Sequence, residues 1–324
     1  MGNSQSHSSE PFTENGVEKY AKFDDDWFAE GASRYAYRGK INSVSMGWFK
    51  RSERCVVKLY KEKYSARLKE DAWKADNRAS LKAQETSVAF NVHYSGKSSA
   101  RVEVLTPTIS QVKTFAAHKQ LVGDPVPKTI RGTHIGRTAK ADVMVPEGAS
   151  VAIERLLPGR YVHFLSNSSY VNPDVDTLVP EAFSHFTYHE SEGEILVMDL
   201  QGVYNGKSYV FTDPSVHSME KHGKKFGYYG PADLGVYGVM KFFLDHKCNR
   251  LCKGLLTPDT SGIPIEMRGD LIQAIKAIEA RSSTTYTYEL VVNSGLAAEK
   301  LQNLHTEIAQ ALTKSGSTIP ETVC

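Results

Sequence analysis

A histidine and two cysteines stand close together in the segment H-K-C-N-R-L-C, at His246, Cys248 and Cys252. On a helix, which the surrounding apolar spacing predicts, cysteines four residues apart project from one face. Imidazole and thiolate groups suit Zn²⁺, which binds four such ligands in a tetrahedron. We choose His185 as the fourth ligand, with His189 as the alternative. The spacing therefore predicts a zinc site with four protein ligands.

The zinc interpretation has an alternative, in which the cysteines are buried apolar residues and the histidine satisfies its own hydrogen bonds. If four side chains hold the ion, no position remains for water, and the ion would stabilise the fold rather than act in catalysis. The other cysteines are Cys55 and Cys324, and four in 324 residues do not make a disulfide scaffold. We expect a reducing, cytoplasmic setting, where paired cysteines more often bind metal.

A lysine interrupts the apolar strand pattern V-V-K-L-Y at Lys58. A buried ammonium group is costly unless it meets an anion. A nucleotide phosphate would supply that anion, and so would a helix carboxylate such as Asp76 or Glu85.

Two aspartates, Asp199 and Asp213, end the arms of a strand pair predicted over residues 194–214, and Gln201 lies between them. Carboxylates and an amide that converge at strand ends can position Mg²⁺ and a hydroxyl group. The alternative for each carboxylate is a turn cap or a surface position, and Asp213 before Pro214 is typical turn chemistry.

A glycine-bearing loop, G-P-A-D-L-G-V-Y-G at 230–238, leads into the predicted cysteine helix. Free backbone N–H groups at a helix N-terminus can bind an anion. The alternative is an ordinary turn with a helix cap at Asp233.

The elements that must position these side chains follow from the apolar pattern. The turn of the strand pair lies at Asn205-Gly206, a favoured hairpin dipeptide. Apolar residues at helical spacing predict the cysteine helix over 235–255. The remaining predictions are strands over 28–40, 53–61, 101–107 and 150–159, and a helix over 66–93.

The chain changes character after Leu256. A linker is predicted over 257–264, followed by amphipathic helices over 268–281 and 296–312. One stripe of the last helix is apolar, and it either packs back on the preceding domain or forms a seam with a partner. The stripe consists of Leu301, Leu304, Ile308 and Leu312.

The amino-acid composition of the chain limits the classes of function that it can have. The chain has 40% hydrophobic and 23% charged residues, as in a soluble globular protein. A formal net charge of only +2 offers no electrostatic footprint for nucleic acid, so we expect no nucleic-acid partner. No apolar run approaches the roughly 20 residues that cross a bilayer.

Several segments occur in the order found in one family. The segments are F-A-E-G-A-S-R-Y-A-Y (28–37), V-V-K (56–58), A-Q-E-T-S-V-A-F-N (83–91), E-R-L-L-P-G-R-Y (154–161), A-F-S-H-F-T-Y (182–188), L-V-M-D-L-Q-G-V (196–203), T-D-P (212–214), G-P-A-D-L-G (230–235) and H-K-C-N-R-L-C (246–252). Together they resemble the alpha-kinases, a family of atypical serine/threonine protein kinases.

The resemblance implies an α+β, two-lobed, atypical protein-kinase-like fold with a mainly β N-lobe and a zinc-stabilised C-lobe. We expect a disordered tail over 1–20, the catalytic domain over 21–255 and a helical extension over 256–324. The activity implied is ATP-dependent phosphorylation of serine or threonine on proteins, with threonine preferred and the target often in a helical segment. The alternatives are a nucleotide-binding pseudokinase and a zinc-stabilised interaction module without turnover.

The resemblance also assigns roles to residues. Lys58 would contact the ATP phosphates, and Asp199 would orient the substrate hydroxyl. Gln201 and Asp213 would hold Mg²⁺, which implies one pocket that Lys58 and both aspartates face. The remaining assignments are Glu154 at the adenine, Gly31 and Arg34 in the phosphate-covering loop, the 230–238 loop near the peptide, and His185, His246, Cys248 and Cys252 on structural zinc.

The N-terminus, G-N-S-Q-S from Gly2, fits the loose pattern for N-myristoylation. The alternative is a plain polar tail. One myristoyl chain would give only weak, reversible membrane association.

Overall fold

The structure, a computed structural model, describes residues 7–31, 33–44, 52–62, 71–96, 98, 100–113, 145–219, 227–278 and 286–314. The predicted lipidation site at Gly2 lies outside these residues, as does Cys324. Within these ranges no helix has the length and apolar character needed to cross a membrane. Two compact units are present, Met1–Trp73 with Pro107–Leu156 and Lys74–Thr106 with Leu157–Cys324, and each is described by itself.

The described residues form strands and helices whose bounds are as follows. The strands are β1 His7–Ser9, β2 Phe12–Glu14, β3 Val17–Glu30, β4 Arg34–Ser43, β5 Glu53–Tyr60, β6 Arg101–Val104, β7 Thr108–Lys113, β8 Ser150–Arg155, β9 Val162–His163, β10 Ile195–Met198, β11 Gln201–Tyr204, β12 Ser208–Thr212 and β13 Ser215–Ser218. The helices are α1 Asp71–His93, α2 Leu178–Glu190, α3 Gly235–Asp245, α4 Ile265–Lys276, α5 Thr287–Ser294 and α6 Ala298–Lys314.

The first unit is a sheet in the order β1-β7-β8-β5-β4-β3-β2, and β1 also pairs with β3. This second pairing closes the sheet on itself, so β1 leaves no open edge between β7 and β3. The interior holds a buried apolar cluster that includes Phe23, Tyr37, Val57 and Leu59. Because side chains alternate along a strand, Lys58 between Val57 and Leu59 points to the opposite face of β5.

The disordered tail predicted over 1–20 is wrong for residues 7–20, which form β1, β2 and the start of β3. His7 stacks on Phe23 with ring centroids 5.2 Å apart. The Ser9 hydroxyl accepts a hydrogen bond of 2.9 Å from the Ala21 N–H. The prediction was wrong because it relied on the polar composition of this segment. Backbone pairing on both sides of β1, and not a long apolar run, holds the segment in place.

The second unit contains a sheet in the order β6-β12-β11-β9 and the separate pair β10-β13. Alternate residues of β10 face different cores. Ile195 and Val197 belong to a buried cluster with side chains of α1 and α2, whereas Leu196 and Met198 belong to a cluster with side chains of α3 and α6. Strand β10 is therefore buried on both faces, which accounts for its uninterrupted apolar sequence.

The hairpin predicted over 194–214 is present in its central part, where β11 pairs with β12 around the Asn205-Gly206 turn. Gly202 has φ 153°, and a Cβ atom there would lie 2.0 Å from the Val210 carbonyl oxygen. Only glycine fits this close backbone approach. The first arm is not one strand, however, because it divides into β10 and β11.

The helix predicted over 235–255 ends early, since α3 stops at Asp245 and His246 has an extended backbone with ψ 127°. Beyond it the Asn249 side chain accepts a hydrogen bond of 2.9 Å from the Leu251 N–H. Asparagine side chains offer the backbone such local partners in competition with a helix. Cys248 therefore lies in an irregular segment and Cys252 in the turn that follows it, and the prediction that they share a helix face is wrong.

The C-terminal helices lie in the second unit. Helices predicted over 268–281 and 296–312 are present as α4 and α6, and α5 between them was not predicted. The apolar stripe of α6 is buried in the cluster that contains Leu196 and Met198, so it packs on its own chain. The stripe residues in that cluster are Leu301, Leu304, Ile308 and Leu312.

Candidate functional site

An interruption in the strand pairing places the two predicted catalytic aspartates. The pair Met198–Ser215 and the pair Gln201–Thr212 belong to one antiparallel register, with two unpaired residues on each arm between them. Asp199 lies in the gap on one arm and Asp213 lies in the gap on the other. Because the register continues across the gap, the two aspartates are near neighbours in this unit.

Both aspartates have a left-handed backbone, with φ 55° at Asp199 and φ 52° at Asp213. Aspartate tolerates this region better than most non-glycine residues. Leu200, the other residue of the first gap, gives its carbonyl oxygen to the N–H groups of Phe164 and Leu165, at 2.8 and 3.2 Å. These bonds replace the missing strand pairing on that arm.

Gln201 connects Asp199 to an aromatic residue. Its Nε2 donates a hydrogen bond of 3.2 Å to Oδ2 of Asp199, and its Oε1 accepts one of 3.0 Å from the hydroxyl of Tyr161. Asp199 is buried, whereas Tyr161 is exposed. The chain of bonds fixes the amide orientation, because the tyrosine hydroxyl donates to the oxygen and the carboxylate accepts from the nitrogen.

His163 is a neighbour of this group that sequence reasoning missed, as is Tyr161. It pairs with Gln201 across β9 and β11. Burial lowers the pKa of His163, and the nearby charge of Asp213 acts in the opposite direction. Tyr161 ends the segment E-R-L-L-P-G-R-Y, but no role was assigned to it, and the two-residue strand β9 is too short to show a periodic signal at His163.

Lys58 forms a buried ion pair with Glu154 in the first unit. Nζ of Lys58 lies 2.7 Å from Oε2 of Glu154, and both residues are buried. The pairing follows from register, since Val56 is opposite Glu154 and Lys58 is opposite Ala152 on the neighbouring strand. Glu154 thus supplies an anion that the sequence reasoning did not consider for Lys58.

Arg34 is held on aromatic rings at the start of β4. Its guanidinium group lies 4.9 Å from the ring centre of Tyr60 and 5.3 Å from that of Trp73. Nη2 also donates a hydrogen bond of 3.2 Å to the Tyr60 hydroxyl. The Gly31 N–H donates to the Arg34 carbonyl oxygen at 2.9 Å, which closes the turn between β3 and β4. The phosphate-covering role of this turn stays a prediction.

The four predicted zinc ligands come together. One ligand atom from each of His185, His246, Cys248 and Cys252 lies within 4.8 Å of every other. Sγ of Cys248 is 3.8 Å from Nδ1 of His185, and Sγ of Cys252 is 3.4 Å from Nε2 of His246. With metal–ligand distances of about 2.0–2.3 Å, tetrahedral zinc ligands lie about 3.3–3.8 Å apart. The group therefore needs little contraction to hold an ion.

The second ring nitrogen of each histidine has a fixed acceptor. Nε2 of His185 donates to the Leu256 carbonyl oxygen at 3.1 Å. Nδ1 of His246 lies 3.3 Å from Oε2 of Glu181, whose other oxygen accepts a bond of 2.7 Å from Thr177. Such partners fix the tautomer that leaves the opposite nitrogen free to bind a metal. Both histidines thus aim the required nitrogen at the cysteines.

His189, the alternative fourth ligand, lies one turn further along α2 and is not a member of this group. Its Nδ1 accepts a hydrogen bond of 3.1 Å from the Leu256 N–H. The structure therefore brings His185, rather than His189, to the cysteines, while the role of the four residues as zinc ligands stays a prediction.

The loop at 230–238 has its backbone groups bonded within the protein. The buried carboxylate of Asp233 accepts bonds from the N–H groups of Tyr229, Gly235 and Ser218. The Leu234 N–H donates to the ring of His217 at 3.1 Å. This arrangement favours the turn-and-cap alternative over an anion site at the start of α3, because two N–H groups there already have acceptors.

The model of the alpha-kinase family matches residues 29–252 of this chain. The chain belongs to the alpha-kinase family. The matched range contains the interrupted hairpin, the Lys58–Glu154 pair and the cysteine–histidine group, so the resemblance seen in the sequence motifs is confirmed.

This alpha-kinase has curated relatives in several organisms. It is 39% identical over 103 residues to alpha-protein kinase vwkA of Dictyostelium discoideum, a match that covers 32% of this chain and 16% of the relative. It is 40% identical over 107 residues to eukaryotic elongation factor 2 kinase of Mus musculus, covering 33% and 14%. Myosin heavy chain kinase C of Dictyostelium discoideum is 36% identical over 119 residues, covering 36% and 14%. The matches therefore span about one sixth or less of these relatives.

The alpha-kinase fold is confirmed by solved structures. The alpha-kinase domain of myosin-II heavy chain kinase A in complex with AMP-PNP superposes with a TM-score of 0.53 at 22% identity, covering 78% of this chain and 95% of that domain. The inactive domain of that kinase in complex with ATP gives 0.53 at 21% identity, covering 77% and 97%. At this identity the likeness shows the fold alone. It confirms the α+β kinase-like architecture, while the predicted domain bounds stay predictions.

Proposed function

We propose that this alpha-kinase transfers the γ-phosphate of ATP to serine or threonine hydroxyls of protein substrates, with threonine preferred. The observation that supports it most is the interrupted hairpin, where Asp199 and Asp213 occupy the two gaps and Gln201 bonds to Asp199. Phosphoryl transfer needs little covalent chemistry from a protein and depends on positioning and charge neutralisation. Paired carboxylates beside an amide are suited to that task.

Each residue of the hairpin has a proposed role. Asp213 and the amide oxygen of Gln201 hold Mg²⁺, since hard cations prefer oxygen ligands. The ion, when bound, neutralises charge on the phosphate oxygens. Asp199 accepts a hydrogen bond from the substrate hydroxyl and orients it, while Tyr161 and Gln201 keep the carboxylate in place.

Lys58 and Glu154 act on the nucleotide in the proposal. Lys58 contacts the ATP phosphates, and Glu154 lies against the adenine and helps to neutralise the lysine. The turn with Gly31 and Arg34 covers the phosphates. The AMP-PNP and ATP complexes of the alpha-kinase domain of myosin heavy chain kinase A support nucleotide binding by this fold.

The cysteine–histidine group fits structural Zn²⁺. Four N and S ligands, each histidine with a fixed outer partner, leave no open position for a reacting water. A structural zinc ion contributes on the order of 10 kcal/mol to folding. We propose that it ties α2 to the turns after α3, and thiolate ligands of this kind are best preserved in a reducing compartment such as the cytoplasm.

The substrate is proposed to be a protein. The relatives are named for an elongation factor and for myosin heavy chains, which are proteins. We propose threonine or serine targets in helical segments and no nucleic-acid partner. Weak membrane association through a lipid on Gly2 stays a prediction.

The test is transfer of label from γ-labelled ATP and Mg²⁺ to a library of helical peptides that contain threonine or serine. Wild type should label peptides, and Asp199→Asn should lose nearly all transfer while it stays folded. ATP-dependent stabilisation without transfer would support the pseudokinase instead. Neither binding nor transfer would support the interaction module.

A further inference from the structure

The C-terminal helices share a buried apolar cluster with the strand that ends just before Asp199. Leu196 and Met198 of β10 lie in the same buried cluster as Leu301, Leu304 and Ile308 of α6. Met198 immediately precedes Asp199. Displacing α6 would therefore remove side-chain packing around Met198, the last paired residue before the gap that contains Asp199.

A hydrogen bond joins α6 to the partner strand. His305 is fully buried, and its Nε2 donates to the carbonyl oxygen of Ser218 at 3.2 Å. Ser218 is the last residue of β13 and pairs with Ile195 of β10. The Ser218 hydroxyl also donates to Asp233 at 2.5 Å, which links this point to the loop before α3.

Two further bonds hold that loop and α3 to the C-terminal helices. The N–H of Thr287, the first residue of α5, donates to the Pro231 carbonyl oxygen at 2.7 Å. The buried Tyr237 of α3 donates its hydroxyl to the Leu301 carbonyl oxygen at 2.6 Å. Hydrogen bonds depend on direction as well as on distance. These two bonds therefore fix how the loop and α3 are oriented against α5 and α6.

We propose that residues 286–314 are a positioning element for phosphoryl transfer. Through Ser218 and the loop around Asp233, α5 and α6 hold β10 and β13 in the arrangement that places Asp199 and Asp213. The inference rests on the proposed function of the hairpin. It gives the C-terminal helices a role in the rate of transfer, so a change in their docking would change turnover without touching ATP or the substrate.

The variant Thr287→Pro tests this most sharply. Proline is favoured at the first position of a helix, where the N–H has no partner within the helix. Tyr286 already has the extended backbone that a residue before proline requires, with φ −103° and ψ 154°. The substitution thus removes the bond to Pro231 and leaves the helix intact. Thr287→Ala is the matched control, because it keeps the N–H.

We expect Thr287→Pro to lower kcat about five-fold or more relative to Thr287→Ala, the change that one ordinary hydrogen bond produces. The KM for ATP and the thermal midpoint should stay close to the control. Equal kcat in the two variants, or a fall matched by loss of folded protein, would overturn the proposal.

A second pair of variants addresses the other contact. His305→Gln keeps a donor for Ser218 and should retain most of the turnover, whereas His305→Leu should lose it. Amide hydrogen exchange over residues 195–201 should be faster in His305→Leu and Thr287→Pro than in their controls. If wild type transfers no phosphate, the proposed function fails, and unchanged exchange in these variants would separately reject the positioning role.

Discussion

At the scale of single residues, two positions of the hairpin have a backbone conformation that is unfavourable for residues other than glycine. Asp199 and Asp213 both have positive φ, where glycine would be less strained. Glycine would remove the carboxylates, and only aspartate or asparagine combines a tolerated left-handed backbone with an oxygen ligand. The retention of two such residues across one strand interruption is typical of a functional site.

The buried pair of Lys58 and Glu154 has a consequence for mutagenesis. We expect Lys58→Met to lower the free energy of unfolding by about 3 kcal/mol, because the Glu154 carboxylate loses its ion-pair partner in a buried position. The double variant Lys58→Met/Glu154→Gln should recover most of that loss and still fail to transfer phosphate. Urea unfolding measures the first effect. A single variant as stable as wild type would show that the pair contributes little.

At the scale of elements, the candidate metal ligands depend on where helices end. His246 leaves α3 with an extended backbone, Cys248 follows in an irregular segment, and Cys252 lies in a turn. The early end of α3, and the Asn249 turn that follows it, let three ligands reach a histidine on α2.

We expect wild type to purify with about one bound zinc ion. Cys252→Ser should lose the ion and much of its soluble, folded protein, since structural zinc carries a large share of folding free energy. His189→Gln is the control, because His189 lies on α2 but outside the ligand group. Metal content by atomic emission and the thermal midpoint are the measurements. Wild-type protein free of zinc, with a midpoint that chelators do not change, would reject the site.

At the scale of the whole molecule, much of each unit could be predicted from the sequence. The strands around Val57 and Ile153 and the Asn205-Gly206 turn follow from local patterns, as does the apolar stripe of α6. The closure of the first sheet by His7–Ser9 could not be predicted, because it depends on pairing with strands far along the chain. The gap at Asp199 could not be predicted either, because the Leu200 carbonyl oxygen accepts hydrogen bonds from the N–H groups of Phe164 and Leu165, which are distant in the sequence.

Stability of the second unit should depend on pH through His217. Burial lowers the pKa of His217 to about 4, so the fold favours the neutral ring. Its contribution is fully present above about pH 6.5 and is lost as pH falls toward 4, by about 2 kcal/mol at pH 5. Burial raises the pKa of Asp233 to about 6, and that carboxyl acts in the opposite direction over much of the same range.

The variant His217→Gln isolates this effect, because glutamine can still donate to Asn167 and accept from Leu234. The stability difference between wild type and the variant, measured by urea unfolding, should shrink as pH falls from 7 to 5. Parallel pH profiles would contradict a neutral buried histidine.

The most direct test of the proposed site is the magnesium dependence of ATP binding. Calorimetry on wild type should show that Mg²⁺ tightens ATP binding, and Asp213→Asn should lose that tightening while it stays folded. Asp174→Asn, which changes an exposed aspartate in the same unit, should behave as wild type. If Asp213→Asn binds ATP with the same Mg²⁺ dependence as wild type, the interrupted hairpin does not hold the metal and is not the site of phosphoryl transfer.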